Sequence, residues 1–299
     1  MSETPPTVPS QTGPDLRTSQ PFALASGQFQ GTVFVSGFLA TEVRAWIANH
    51  PITDDASAVL MTQLLRVDSW LRTLAKLDDP ADFQAVAAAC RSLLETTIDI
   101  ALIHGSPQKH EQLLAWEESA KLYHAEHSVT YLSAHNIQVP HDVIGDFVAR
   151  HKVRIEGLRR TFGWLNKKKG RTNTRHPQRW TDQNLADDAK GADALGHPFE
   201  FEKFYETEYR RICWSVHGSG FPLRGIPAVN FPSIAGLLFP NCCDLALLSA
   251  ELVLQHFGLW SPERKQQFID MSKRRIVIVG QTMRVTMGMP LLTAPAAGG

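Results

Sequence analysis

One segment of this chain combines residue types able to act on a phosphodiester: Tyr209-Arg210-Arg211-Ile212-Cys213-Trp214-Ser215-Val216-His217. An arginine can hold a phosphate and offset the charge that develops on it, while an imidazole moves a proton. Gly218, Gly220 and Pro222 come directly after it, so the segment reads as the end of a helix. At 3.6 residues per turn Arg210, Cys213 and His217 share a face, and Glu206 extends the line backwards. Arg211 lies about a third of a turn from His217, which leaves Arg210 as the better partner. The same pattern also suits an ordinary amphipathic helix whose last histidine interacts with the helix dipole.

A second candidate sits on an apolar segment, Pro80–Ile103, where Arg91, Glu95 and Asp99 recur every four residues. A helix this apolar is expected near the middle of a bundle, with a narrow charged ridge. Arg91 and Glu95 then either fix helix register as an ion pair or face the Arg210/His217 stripe, with Glu95 orienting it. Histidine is frequent, 12 in all. His124 and His127 are one turn apart, but Glu-x-x-His is absent, so the pair reads as a solvated face and no metal or other cofactor is expected.

Charge is balanced overall, 30 basic against 30 acidic residues, but unevenly placed. From Arg150 to Arg179 there are 11 lysines and arginines, and Glu156 is the single acid. Within that run Lys167, Lys168, Lys169, Arg171, Arg175 and Arg179, with Trp164 and Trp180 interspersed, suit a polyanion backbone. An acidic stretch comes next (Asp182, Asp187, Asp188, Asp193, Glu200, Glu202), so pairing within the molecule is the competing expectation.

The elements that must position these residues read as helices. Amphipathic periodicity predicts segments near 22–49, 54–77, 80–103, 107–136, 141–167, 199–217, 242–257 and 262–278. Asp79-Pro80, Ser106-Pro107 and Ser261-Pro262 each place a capping side chain before a proline suited to the first helical turn. Strand signals are nearly absent, and Ile276-Val277-Ile278-Val279 continues a helical pattern. The expectation is an all-α antiparallel bundle in one domain over 21–288, with additional N-terminal helices. A basic-to-acidic loop region over 167–196 and a Gly/Pro-rich loop over 218–240 interrupt it. A disordered tail over 1–20 and a frayed end over 289–299 flank it. The four cysteines lack a C-x-x-C pair and read as reduced thiols, and no uninterrupted apolar run approaches membrane-spanning length. A cytoplasmic protein without membrane contact is the expectation.

Taken in order, Arg91 and Glu95, Trp180, Tyr205 and Tyr209, then Arg210, Cys213, His217 and Gly218 resemble the pattern of a bacterial helical family of unknown function. The likeness spans about 54–257 and departs at Cys213, where that family usually has serine. The family in turn is similar to the HEPN superfamily, helical bundles of prokaryotic toxins and defence systems. Many of these are metal-independent endoribonucleases with an Arg-x(4–6)-His motif, which Arg210 and His217 fit at its longest spacing. The resemblance implies a toxin or anti-phage setting, RNA as substrate, and a homodimer or an antitoxin-like partner. It implies Arg210, His217, Glu95 and Arg91 as catalytic residues. The alternative expectation is a non-enzymatic helical interaction module with a buried Arg/Glu/His network.

Overall fold

The structure is a computed structural model. It describes residues 17, 19–138, 142–168, 171–174, 177–197, 199–217 and 228–291, with backbone alone for 165–168, 171–174, 214–217 and 228. The expectations for the N-terminal tail through residue 16, for 218–227 and for 292–299 lie outside the described residues.

The fold is all-α, with one short hairpin of two strands among the described residues. The helices are α1 (Gln20–Phe38), α2 (Arg44–Ala48), α3 (Asp55–Leu74), α4 (Phe83–Gly105), α5 (His110–Ala134), α6 (Val143–Thr161), α7 (Leu185–Asp193), α8 (Phe201–Phe204), α9 (Arg210–His217), α10 (Phe231–His256) and α11 (Pro262–Thr286). The strands are β1 (Leu165–Lys168) and β2 (Arg171–Thr174). The single domain expected over 21–288 divides into two compact units. One holds residues 1–50, 65–94 and 209–299, the other 51–64 and 95–208.

The first unit is built around α10, which is buried along most of its length from Pro232 to Leu254. The expected loop over 218–240 is therefore shortened: residues 231–240 are already helical. Pro232 occupies the permissive first turn, whereas Pro240 sits in the interior, where it cannot donate to the Gly236 carbonyl. Burial of the flanking apolar residues sustains the helix through that missing bond. Among the described residues α10 alone is long and apolar enough to cross a membrane, and 67% of its most apolar stretch is buried inside the fold.

α1 packs on α10 and α11 through small residues. Ser19 caps its N-terminus, accepting from the Phe22 N–H at 3.3 Å. A Cβ at Gly27 would lie 2.8 Å from the Val279 carbonyl oxygen of α11, and one at Gly31 would lie 3.0 Å from a Val279 methyl. On the α10 side Thr32 Oγ1 meets Cys243 Sγ at 3.4 Å, and Phe29 meets Phe239 edge-on. α1 does not stop at Phe38. It passes through a π turn, Leu39–Val43, directly into α2, matching the single segment expected over 22–49. Cys242 lies against α4, its Sγ 3.9 Å from the Val86 carbonyl. Burial, with the Cys90 thiol beside it, pushes Cys242 well above the usual thiol range, so Cys242 is a packed, unreactive thiol.

In the second unit α5 and α6 run in opposite directions, since Ser119 meets Arg159 and Glu126 meets Lys152. α6 ends at Thr161, before the Lys167 expected from periodicity, and Gly163 turns the chain at φ +71°. The chain then forms the hairpin, where sequence periodicity predicts a loop. Ser261 caps α11 as expected, accepting from the Arg264 N–H at 3.3 Å. Asp79 does not cap α4, because the helix starts later and Asp82 accepts from the Ala85 N–H instead.

Two glycines of α1 should respond oppositely to the same substitution. Gly37→Ala places its methyl in open space and should stabilise by about 0.5–1 kcal/mol through helix propensity. Gly27→Ala drives a methyl into a backbone oxygen and should destabilise by about 1–3 kcal/mol. Urea unfolding of the two variants against the parent checks the sign.

Candidate functional site

α9 carries the Arg/His pair. The chain enters it through a second π turn, Tyr205–Tyr209, which interrupts the α-helical phase. Glu206 therefore does not align with Arg210 as uninterrupted α-helix would have it. Within α9 the phase is regular, so Arg210 and His217 are seven residues apart on about the same face, separated by roughly 10 Å along the axis. Arg210 and Arg211 are exposed, Ile212 is buried and Cys213 is half-buried. The side chain of His217 lies outside the described residues. Tyr209, at the foot of α9, is 8% exposed. The Arg91 guanidinium of α4 sits 5.8 Å from its ring centroid, within cation–π range. Arg91 is thus packed beside the start of α9, in the first unit.

Glu95 falls in the second unit, and its charge acts there on Arg179 and Asp99. These two residues belong to a network absent from the expected site. Arg179 donates through Nη2 to Asp99 Oδ1 at 2.5 Å and through Nε to Asp188 Oδ2. Trp180 Nε1 donates to Asp99 Oδ1 at 2.8 Å, and Thr181 Oγ1 donates to Asp188 Oδ2 at 2.9 Å. The side chains are 14% (Arg179), 13% (Asp99) and 1% (Asp188) exposed. One guanidinium serves two buried carboxylates. Burial pushes the Asp99 carboxyl above its ordinary range against the pull of Arg179 and the Trp180 N–H, and Asp188 and Glu95 push the same way. Burial alone would lower Arg179, but the surrounding carboxylates outweigh it and hold the guanidinium charged.

The expected phosphate-binding role of Arg179 is corrected, because its guanidinium is 14% exposed and turned to Asp99 and Asp188 inside the unit. Other members of the basic run are also used internally. Arg154 pairs with Glu118 at 2.6 Å and Lys152 with Glu126 at 3.3 Å. Arg159, 1% exposed, donates to Ser119 Oγ at 2.8 Å and to the Ser119 carbonyl at 3.1 Å. Burial lowers its pKa, against the charges of Glu126 and Glu156.

The rest of the run is carried by the hairpin, whose register sets Lys167 opposite Thr172 and Lys168 opposite Arg171. Lys169 and Arg175 lie outside the described residues, as do the side chains of Lys167, Lys168 and Arg171. The segments on either side are anchored. Before the hairpin come buried Arg159 and Trp164, the latter 2% exposed. After it come Arg179 and Trp180, and Trp116 Nε1 donates to the Pro177 carbonyl at 2.8 Å.

His124 and His127 pack around the Tyr123 ring. Among the described residues no group of three or more His, Cys, Asp or Glu is placed to hold a metal ion. No family model, curated protein or solved structure matches the chain.

The network generates a contrast between its carboxylates. Asp188→Asn leaves Arg179 short of charge in the most buried position and should cost about 3–5 kcal/mol. Asp99→Asn keeps an acceptor for Trp180 and removes the carboxylate that burial disfavours, so it should cost clearly less. With its folded pKa above the unfolded one, Asp99 favours the folded state most at pH below the unfolded carboxylate value. That contribution falls as pH rises towards the folded pKa. Urea unfolding across the acid range should show Asp99→Asn removing this part of the pH dependence.

Proposed function

We propose that the chain is a metal-independent endoribonuclease of HEPN-like type, with Arg210 and His217 as its reacting pair. The observation that supports this most is the setting of α9. Arg210 is exposed, and the position of His217 lies on the same face of an unbroken α segment. A pair so placed can address one phosphodiester. His217 takes the proton from a ribose 2′-hydroxyl, or returns one to the leaving oxygen, as the hydroxyl attacks the adjacent phosphate. Arg210 offsets the charge that builds on the phosphoryl oxygens. Arg91, held on Tyr209, acts as a positioning residue at the foot of α9. The basic stretch that includes Lys167, Lys168, Lys169, Arg171 and Arg175 is assigned from its sequence to the RNA backbone, a contact blind to sequence and weakened by salt. The HEPN-like resemblance adds a homodimeric, antiparallel helical arrangement and a toxin or anti-phage setting.

The alternative of a buried structural network at Arg210 draws less support, since Arg210 is exposed. The second unit does contain a buried network of the kind that reading calls for, but it is built on Arg179, Asp99 and Asp188.

His217→Ala and Arg210→Ala should each lower cleavage of a single-stranded RNA in EDTA by about two orders of magnitude or more, with the circular dichroism spectrum unchanged. Replacing Lys167, Lys168 and Lys169 with glutamine should raise KM with little change in kcat. Undiminished cleavage by His217→Ala, or cleavage that disappears in EDTA, would refute the mechanism.

A further inference from the structure

A cleft lies between α1 and α11, which run in opposite directions: Gly31 meets Arg275 and Val279, and Phe38 meets Phe268. At Gly27 and Gly31 the missing side chains are taken up by close contact with α11. Gly37 lies further along α1, and a Cβ there would meet nothing within 4 Å. Gly37 lines a cavity of about 590 Å³, the size of a small-molecule site. Phe34 and Phe38 of α1 and Met271 of α11 give it an apolar lining. The Phe38 ring is held edge-on to Trp46 and Phe268, with centroids 5.8 Å and 5.3 Å away, so this part of the lining is fixed.

Three charged residues share the same walls: Glu42 on the π turn that continues α1, and Asp270 and Arg274 on α11. The pairing of the two helices orders them. Arg274 stands towards the Gly31 end, Asp270 near the level of Phe38, and Glu42 beyond Phe38 on the π turn. The cleft is therefore cationic at one end and anionic towards the other. Asp270 and Arg274 are one helical turn apart, a spacing that suits an ion pair, yet they are not paired. Asp270 instead accepts from Gln266 Nε2 at 2.9 Å, with Lys273 a distant partner at 3.9 Å. Among the described residues no side-chain hydrogen bond or ion pair engages Glu42 or Arg274.

We propose that this cleft binds an amino acid with an aromatic side chain. Its carboxylate pairs with Arg274, its ammonium with Asp270 and Glu42, and its ring lies against Phe34, Phe38 and Met271. The charges select a zwitterion. An organic cation would leave Arg274 unmatched beside it, and an organic anion would meet two carboxylates. A wholly apolar ligand would cover all three charged groups and satisfy none, which is costly. Asp270 and Arg274 have Cβ atoms about 6 Å apart, a gap that the two adjacent charges of an amino acid can bridge. The proposal does not rest on the ribonuclease reading, since it uses neither α9 nor the basic stretch.

A ligand-observed NMR titration of the full chain with L-phenylalanine tests this, beside phenethylamine, which lacks the carboxylate, and hydrocinnamate, which lacks the ammonium. The parent should bind L-phenylalanine with a Kd on the order of 0.1–1 mM, and each of the other two at least about tenfold more weakly. Gly37→Leu fills the cleft from an exposed helical position, so it should abolish binding while the thermal melt stays at or above that of the parent. Arg274→Gln should reduce L-phenylalanine binding to the level of phenethylamine and leave phenethylamine binding undiminished. The proposal fails if L-phenylalanine shows no saturable binding in the millimolar range or if Gly37→Leu binds it as the parent does. It also fails if phenethylamine or hydrocinnamate binds the parent equally well, since the site then takes a simple cation or anion. Loss of phenethylamine binding in Arg274→Gln overturns it too, because the arginine would then support the cleft rather than the ligand carboxylate.

Discussion

The second unit depends on one arginine shared by two carboxylates. Arg179 comes after the hairpin in sequence, Asp99 belongs to α4, and Asp188 to α7. Taking three charged groups out of water is tolerable only if each is met by its opposite and the remaining donors and acceptors are filled. Trp180 and Thr181 complete that requirement from the residues immediately after Arg179. Two negative charges still share one positive charge, and Asp99 is held above its ordinary range first by burial and then by the charges of Asp188 and Glu95. The neighbouring segments around Arg179 and Asp188 are thereby tied to Asp99, 80 residues before Arg179.

That arrangement divides the basic run by role. Sequence shows a single block of cations from Arg150 to Arg179. In the fold, Lys152 and Arg154 of α6 turn to the acids of α5, Arg159 turns to Ser119, and the last one turns to Asp99 and Asp188. Only the middle of the block is carried on the hairpin. Net charge along a sequence says how many cations there are, whereas helix direction decides which are neutralised. α5 and α6 run in opposite senses, so Glu118, Ser119 and Glu126 come opposite Arg154, Arg159 and Lys152, and pairing there is a result of the short connection between the two helices.

Much of the fold was legible because period and caps agree. α3, α4 and α11 carry apolar periodicity, and Ser261-Pro262 gives a true helix start. Pro240 misled because its local cost is real but smaller than the burial gained by α10 around it. The hairpin was missed because β1 and β2 read Leu-Asn-Lys-Lys and Arg-Thr-Asn-Thr, with no apolar alternation to mark a strand. The Asp99–Arg179 contact joins residues 80 apart, and no local pattern announces it. The one available hint was the third member of the ridge Arg91, Glu95, Asp99. For the Arg210–His217 segment, helical phase was readable from spacing within α9, while the π turn before it was not.

That π turn has a consequence for comparing sequences. A π turn takes up one residue more than the α turn it replaces, so the rotation between Phe201 and Arg210 is smaller than residue counting gives. A relative lacking the extra residue would present the same α9 face with every position renumbered by one relative to Phe201. Gap-free alignment through Tyr205–Tyr209 would then pair Arg210 of this chain with the neighbour of its true equivalent. A motif defined by spacing should accordingly be counted from within α9, where the turn has already been passed.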